Sequence, residues 1–169
     1  MGASTSLRDY QLALSERLQH AEAGARVLSK LGVQIGAEAW LVDLTEAGEV
    51  LPVPPISPVP LSRPWFRGIA NVRGNLYSVT DFAAFLGSEP TAASEQARLL
   101  LVSERFHCGA ALLVTRSLGL RNAGTLKPQS KDAALPWVRA QYADDAGKSW
   151  KELDIPALIR HETFLEVSL

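Results

Sequence analysis

A mainly β fold is predicted by short apolar segments that recur along the chain and are separated by turn residues. The segments are 49–53, 66–72, 76–80, 99–103, 108–115 and 163–169. Their spacing favours small barrels or a sandwich over alternating βαβ units. The chain has 169 residues, of which 47% are hydrophobic and 21% charged, so it can form one domain or two small units that share a core. An N-terminal helix and short capping helices complete the predicted architecture.

The N-terminal helix is predicted over residues 5–31, within an extension, 1–32, that precedes a β-rich domain at 33–169. The apolar residues that recur every seven positions are Leu7, Leu14, Ala21 and Leu28. This spacing places them on one face of a helix, and polar residues fill the other face. Two interpretations remain open: the helix packs on its own domain, or it is detachable and contacts a partner or a second copy.

Residues 64–81 carry the most informative local pattern in the chain. Two apolar segments flank a turn at Arg73-Gly74-Asn75, where Gly74 permits a left-handed backbone. The turn therefore presents the permanently charged guanidinium of Arg73 on a rigid β corner. Such a corner suits docking against a partner better than it suits chemistry.

Two short helices are predicted from their capping residues. Asp81 can accept hydrogen bonds from the free amides that open a helix over 81–86, and Gly87 then ends it. A second helix is predicted over 154–160, because Pro156 is well tolerated in a first helical turn.

The sequence offers no constellation for catalysis or metal binding, so no enzyme, metal or other cofactor is predicted. The histidines, His20, His107 and His161, are scattered among different elements, and no cysteine pair has the spacing of metal ligands. The single cysteine, Cys108, lies in an apolar segment, which favours a buried and inert thiol.

Charge and hydropathy exclude several partners. The net charge of −1 predicts no strong attraction to nucleic acid or anionic lipid. No apolar run approaches the roughly 20 residues that span a bilayer, and the N-terminus lacks a secretory apolar core. We therefore expect a cytoplasmic protein without direct membrane insertion. One alternative remains: a small β-barrel module that binds nucleic acid through a basic corner of Arg63, Arg67 and Arg73.

The hairpin segment reads Trp65-Phe66-Arg67-Gly68-Ile69-Ala70-Asn71-Val72-Arg73-Gly74, and Tyr77-Ser78-Val79-Thr80-Asp81 follows it. Glu49-Val50-Leu51 lies upstream. These residues resemble the core motif of the CheW-like domain of bacterial chemosensory arrays, with the glycines, asparagine, arginine and aspartate at the matching steps. The likeness covers about residues 33–168. Its details are most similar to the twitching-motility branch, which serves type IV pilus chemosensory systems.

The resemblance implies two small, five-stranded, SH3-like β-barrels around a shared hydrophobic core. It also implies a non-enzymatic adaptor that couples the signalling tip of a methyl-accepting chemotaxis receptor to a CheA-type histidine kinase and so controls twitching motility. In the family, the arginine–glycine corner faces the receptor. Carried over to this chain, the implied partner-binding residues are Arg73, Gly68, Asn71, Gly74, Glu49 and Val50.

The implied site residues also have structural interpretations. Gly68 and Gly74 satisfy backbone geometry without any partner. A structural role for Arg73 would require a carboxylate of the same chain, for which Asp81 and Glu49 are the candidates.

Overall fold

Two six-stranded sheets form the body of the protein in the computed structural model, which describes residues 7–130 and 135–169 and, for 21–28, the backbone alone. The strands of the first sheet are β1 (Ser29–Ile35), β2 (Glu38–Asp43), β9 (Arg116–Asn122), β10 (Lys127–Gln129), β11 (Val138–Ala143) and β12 (Ser149–Leu153). The strands of the second sheet are β3 (Ala47–Pro52), β4 (Ile56–Ser57), β5 (Phe66–Val72), β6 (Asn75–Asp81), β7 (Arg98–Val102) and β8 (Ala110–Val114). The α-helices are α1 (Leu7–Leu28), α2 (Phe82–Phe85), α3 (Ile155–Arg160) and α4 (Glu162–Leu165).

The two sheets do not correspond to consecutive halves of the chain. The first sheet has the order β10-β11-β12-β2-β1-β9, so it combines strands from both ends of the domain. The second sheet has the order β3-β7-β8-β6-β5-β4 and is inserted between β2 and β9. After the insertion the chain returns to the first sheet, where β9 pairs antiparallel with β1 and β12 pairs in parallel with β2.

One hydrophobic core lies between the two sheets, as predicted. Its fully buried side chains include Val33, Trp40, Val42, Phe82, Leu100, Leu112, Val114, Leu153, Ile155 and Leu158. Trp40 of β2 meets Phe82 of α2 edge to face, with ring centroids 5.5 Å apart. Burial of each large apolar side chain stabilises the fold by about 1.5–3 kcal/mol, so both sheets depend on the same core. The mainly β fold class is therefore confirmed. Each sheet has six strands rather than five, and neither closes into a barrel within the described residues.

A second apolar cluster lies on the other face of the second sheet. Strand β8 is buried along its whole length. Leu112 contributes to the core between the sheets, whereas Ala111 and Leu113 contribute to the second cluster. Because successive side chains of a strand point to opposite faces, the second sheet is covered on both sides at its centre. This explains why β8 reads as a continuous apolar run.

The local predictions succeed where capping and turn residues define an element. The helix α2 begins after Asp81 and α3 begins after Asp154, both as predicted. The predicted strand over 163–169 is wrong, because Glu162–Leu165 forms α4. The Phe164 side chain is 6% exposed. It packs in the core from the short helix α4.

Strands β9 to β12 of the first sheet were not predicted from the sequence. In β9, an edge strand, every residue except half-buried Leu118 is exposed. The glycine, proline and polar residues of 121–135 predict irregular structure, which is wrong where β9 and β10 run; residues 131–134 lie outside the described part of the chain. At the other end, α1 stops at Leu28 and β1 starts directly after it, so residues 29–32 belong to the sheet.

An ion-pair network ties three strands of the first sheet together. Lys30 Nζ of β1 lies 2.9 Å from Asp43 Oδ2 of β2 and 3.0 Å from Glu152 Oε1 of β12. Partial burial works against charge on Asp43, but hydrogen bonds from Thr45 and Lys30 outweigh it and lower the pKa of Asp43 to about 2. The charged form of Asp43 is thus favoured by folding.

This network predicts an acid-sensitive contribution to stability. Because the pKa of Asp43 is lowered on folding, its contribution is complete above the unfolded pKa of about 4 and is lost as pH falls towards 2. We expect a loss on the order of 1 kcal/mol, since the side chain is 25% exposed and partly screened. Urea unfolding of the wild type and of Asp43→Asn at pH 6, 4 and 2 measures the contribution of Asp43 to the free energy of unfolding. The free-energy difference between the two proteins should shrink on acidification, whereas exposed Asp9→Asn should follow the wild type; a constant difference for Asp43→Asn would contradict the assignment.

Candidate partner-binding site

The tip of the β5–β6 hairpin is a two-residue turn. Arg73 and Gly74 have φ angles of +52° and +85°, so both central residues adopt the left-handed conformation that matches the twist of a hairpin. The Asn71 side chain accepts a hydrogen bond from the Gly74 amide at 2.9 Å, which holds the turn closed. The predicted turn is confirmed, and it presents Arg73 at the end of a rigid hairpin.

A bidentate ion pair joins the hairpin tip to β3. The two terminal nitrogens of Arg73 donate hydrogen bonds of 2.9 and 2.5 Å to the carboxylate of Glu49. Strands β3 and β5 are four places apart in the sheet order, so this contact requires the second sheet to curl on itself. The hydrogen bonds from Arg73 to Glu49 raise the pKa of the guanidinium, which therefore stays charged at any relevant pH. Of the two candidate carboxylates, Glu49 is the partner of Arg73.

Asp81 has a different, structural role. Its carboxylate is completely buried and accepts hydrogen bonds from the backbone amide and the hydroxyl of Thr91, at 2.8 and 2.7 Å. It also accepts a bond from the Ala84 amide at 3.4 Å, which caps α2, and Arg67 lies 3.7 Å away. A buried carboxylate with these donors anchors the loop after α2 and is not offered to a partner.

An open groove lies beside the Arg73–Glu49 pair, and we call it the hairpin groove. It has a volume of about 240 Å³ and is lined by Gly48, Glu49, Val72, Arg73, Asn75, Tyr77, Leu101, Val102 and Glu104. A second hollow of about 320 Å³ continues it, sharing Asn75, Tyr77, Val102 and Glu104 and adding Leu76, His107 and Gly109. Buried apolar side chains form the floor, and charged side chains stand at the rim. This combination is suited to an apolar ridge that carries a few polar groups.

The structure brings together only some of the predicted site residues. Glu49, Arg73 and Asn71 meet at the hairpin tip with Gly74. Val50, in contrast, follows Glu49 on β3 and packs against the core, so its side chain points away from the groove.

Gly68, another predicted site residue, also lies away from the groove. It has a φ angle of +127°, and a Cβ added to it would lie 2.0 Å from the carbonyl oxygen of Ser57. No side chain fits there, because the backbone at the end of β4, which pairs with β5, already occupies that space. Gly68 thus permits close strand packing near the start of β5, whereas Arg73 lies just beyond the other end of that strand.

Several groove residues were not predicted from the sequence. Glu104 begins a short 3₁₀-helix, Glu104–Phe106, and Leu101 comes from β7, so neither is near the hairpin motif in sequence. Tyr77 belongs to the motif, but its place in the floor depends on the curl of the sheet. No local pattern connects these residues, since the groove is formed by strands that are paired only in the folded protein.

Cys108 is exposed, which corrects the prediction of a buried thiol. The 3₁₀-helix is followed by His107 with a φ angle of +51° and, after Cys108, by Gly109 with +55°, so the loop continues and β8 begins only at Ala110. Within the part of the chain that the structure describes, no three His, Cys, Asp or Glu side chains are arranged to hold a metal ion.

The basic corner considered for nucleic acid is neutralised in the fold. Each of its arginines lies within ion-pair distance of a carboxylate: Arg63 with Glu166 at 3.8 Å, Arg67 with Asp81 at 3.7 Å, and Arg73 with Glu49 at 2.5 Å. Binding to phosphates depends on uncompensated positive charge. The structure therefore provides no support for the nucleic-acid alternative.

Residues 30–163 match the family model described as a CheW-like domain. The chain belongs to the CheW-like domain family. Among curated relatives, Protein PilI of Pseudomonas aeruginosa is 31% identical to this CheW-like chain over 146 residues, which cover 83% of the chain and 80% of PilI. The predicted likeness to the family and to its twitching-motility branch is thereby confirmed.

The fold of this CheW-like chain also matches a solved structure. The crystal structure of scaffolding protein TtCheW from Thermoanaerobacter tengcongensis superposes with a TM-score of 0.68 at 17% sequence identity. The match covers 82% of this chain and 95% of that one, so the two-sheet architecture is shared almost in full. Among the described helices, none combines the length and apolar character needed to cross a membrane.

Proposed function

We propose that this CheW-like chain is a non-enzymatic adaptor that couples the signalling tip of a methyl-accepting chemotaxis receptor to a CheA-type histidine kinase in the cytoplasm. The family match supports an adaptor role, and the identity with PilI supports a chemosensory system that controls type IV pili and twitching motility. In this role the protein binds and transmits and does not transform a substrate.

The observation that carries the proposal is the exposed Arg73–Glu49 pair at the rim of an apolar groove. The Arg73 side chain is 73% exposed and that of Glu49 is 39% exposed, so solvent screens their attraction. Such pairs contribute about 0–1 kcal/mol to stability. A carboxylate of a partner can therefore replace Glu49 at little net cost, and the rim of the groove is suited to exchange its ion pair on binding.

The groove floor supplies the apolar part of the contact. The side chains of Val72, Tyr77 and Leu101 are 5–8% exposed and belong to the apolar cluster on this face of the second sheet. A helix can lay its apolar stripe in such a groove and present polar side chains to the rim. The helical tip of a receptor is a partner of this shape.

An adaptor of this kind transmits information by differential affinity. If the receptor tip has two conformations and only one fits the groove, the conformation of the receptor decides how much adaptor is bound. The bound adaptor then shifts the attached kinase between its own two conformational states. Individual contacts of micromolar strength suffice, because neighbouring contacts in an array raise the effective concentration.

The proposal is tested by substituting the exposed leucine that borders the groove. Leu76 and Leu120 are both 66% exposed, but Leu76 lies beside the groove and Leu120 lies on β9 of the other sheet. We expect Leu76→Glu to weaken binding of a receptor signalling fragment by about tenfold or more, as measured by isothermal titration calorimetry. Leu120→Glu is the matched control and should bind like the wild type, and both variants should keep their stability within about 0.5 kcal/mol.

The kinase is tested in the same experiment with a purified CheA-type kinase. The wild type should bind both proteins and bring them together in a pull-down. A wild-type chain that binds neither the receptor fragment nor the kinase would contradict the proposed function. Equal loss of receptor binding in Leu76→Glu and Leu120→Glu would contradict the assignment of the groove.

A further inference from the structure

The N-terminal helix α1 presents an apolar face that its own domain does not cover. Every residue from 7 to 20 is exposed. The side chains of Leu7, Tyr10, Leu14 and Leu18 are 74%, 67%, 47% and 57% exposed. Of the two interpretations left open by the sequence, packing on the domain is not what the structure shows for this part of the helix.

Among the described side chains of α1, three of the four exposed leucines lie in one line along the helix. At 100° per residue, Leu7, Leu14 and Leu18 fall within about 40° of one another, and we call these three residues the α1 seam. Exposed Leu12 lies about 140° from Leu7, close to the opposite side. The apolar residues are therefore concentrated on one face, with acidic and other polar residues on the other.

The spacing of the seam is that of a coiled coil rather than of a surface helix. The seam and its continuation occupy positions 7, 11, 14, 18, 21, 25 and 28, which alternate by four and three residues, and all of them except Gln11 are Leu or Ala. The helix has 22 residues, so the pattern is sustained for three heptads. Gln11 is the one polar residue in this repeat, and a single polar residue at such a position sets the register of coiled coils.

The exposed face of α1 lacks the packing that stabilises most protein helices. Most of the stability of helices in proteins comes from packing of an apolar face. The side chains of residues 7–20 have no such packing against the described part of the chain. A partner that covers the seam would therefore stabilise α1.

We infer that the seam pairs with α1 of a second copy of this chain, as a two-stranded coiled coil. A second copy carries the same heptad spacing by definition, so the two seams match along their whole length. The helix has three arginines and three acidic residues and is neutral overall, so two copies do not repel one another. A membrane surface is a poor alternative, because helices that lie on lipid carry an excess of Lys and Arg on their polar face.

Pairing through α1 gives a dimer in which two CheW-like domains are tethered. A tethered second domain meets its target at an effective concentration of millimolar order. If the proposed function holds, each dimer cross-links two receptor or kinase contacts and strengthens the array. The pairing itself does not depend on that function and is tested separately.

The test is the mass of the full-length chain in sedimentation equilibrium at about 100 μM, a concentration that populates micromolar dimers. A reducing agent is included because Cys108 is exposed and could link two chains. We expect the wild type to be dimeric. The double variant Leu14→Glu/Leu18→Glu, which places charges in the seam, should be monomeric, with a dissociation constant raised at least about 100-fold.

Leu12→Glu is the matched control, because it adds the same charge to an exposed leucine of the same helix on the other face. It should remain dimeric, and near-ultraviolet circular dichroism should show an intact domain in all three proteins. A monomeric wild type, a dimeric double variant or a monomeric Leu12→Glu would each overturn the inference. None of these results would bear on receptor or kinase binding by a single domain.

Discussion

Replacing Arg73 by glutamate is expected to weaken binding of the receptor signalling fragment by at least about tenfold, or about 1.4 kcal/mol. The substitution removes the only cation at the rim of the hairpin groove among its lining residues and sets a second carboxylate opposite Glu49. A carboxylate of the partner would then meet two like charges instead of a guanidinium. Isothermal titration calorimetry with the purified fragment measures the change.

Folding should be much less affected than binding. Arg73 is exposed and solvent screens its ion pair with Glu49, so urea unfolding should show only a small loss of stability. Arg116→Glu, an exposed arginine on β9 of the other sheet, controls for the change in net charge and should bind normally. Unfolding of Arg73→Glu would show that the arginine is structural.

A charge swap distinguishes two roles of Arg73: direct contact with the partner, and support of the hairpin through Glu49. The double variant Glu49→Arg/Arg73→Glu can restore an ion pair between β3 and the hairpin tip, but it reverses the positions of the charges. We expect its stability to return towards the wild type while receptor binding stays weak. Full recovery of binding in the double variant would show that Arg73 acts only by holding the hairpin in place.

Gly68→Ala is expected to destabilise the domain by more than about 3 kcal/mol. A Cβ at this position would lie 2.0 Å from the Ser57 carbonyl oxygen and 2.7 Å from its carbon, and both are backbone atoms that cannot rotate away. The φ angle of +127° adds strain, because side chains rarely adopt it. The backbone at Ser57, the end of β4, would have to move away from β5. Urea unfolding followed by circular dichroism measures the loss.

Gly74→Ala is the matched control, since Gly74 also has a positive φ angle but has no atom within 4 Å of an added Cβ. It should cost only about 1–2 kcal/mol, the strain of a left-handed backbone at a residue with a side chain. If Gly68→Ala were no more destabilising than Gly74→Ala, the close approach of β4 would not govern this position. The pair of variants thus separates steric exclusion from backbone strain at two residues that the family motif shares.

The candidate site was predictable from sequence only in part. The hairpin, the exposed arginine and the neighbouring glutamate follow from a turn motif and a resemblance carried by consecutive residues. The groove was not predictable, because Leu101 and Glu104 reach it from segments that lie some 30 residues after the turn. The exposure of Cys108 was also missed, since its loop and a buried strand contain the same kinds of residue.

The amino-acid sequence alone determined the elements whose signals are local. The Arg73-Gly74 turn, the Asp81 and Asp154 caps and the apolar run of β8 depend on neighbouring residues and appear in the structure where those residues predict them. The tertiary structure alone decided that the first sheet is built from both ends of the domain and that Glu49 meets Arg73 across a curled second sheet. The reason is physical. Backbone conformation is set by adjacent residues, whereas strand order and sheet curvature are set by burial of a core to which all segments contribute at once.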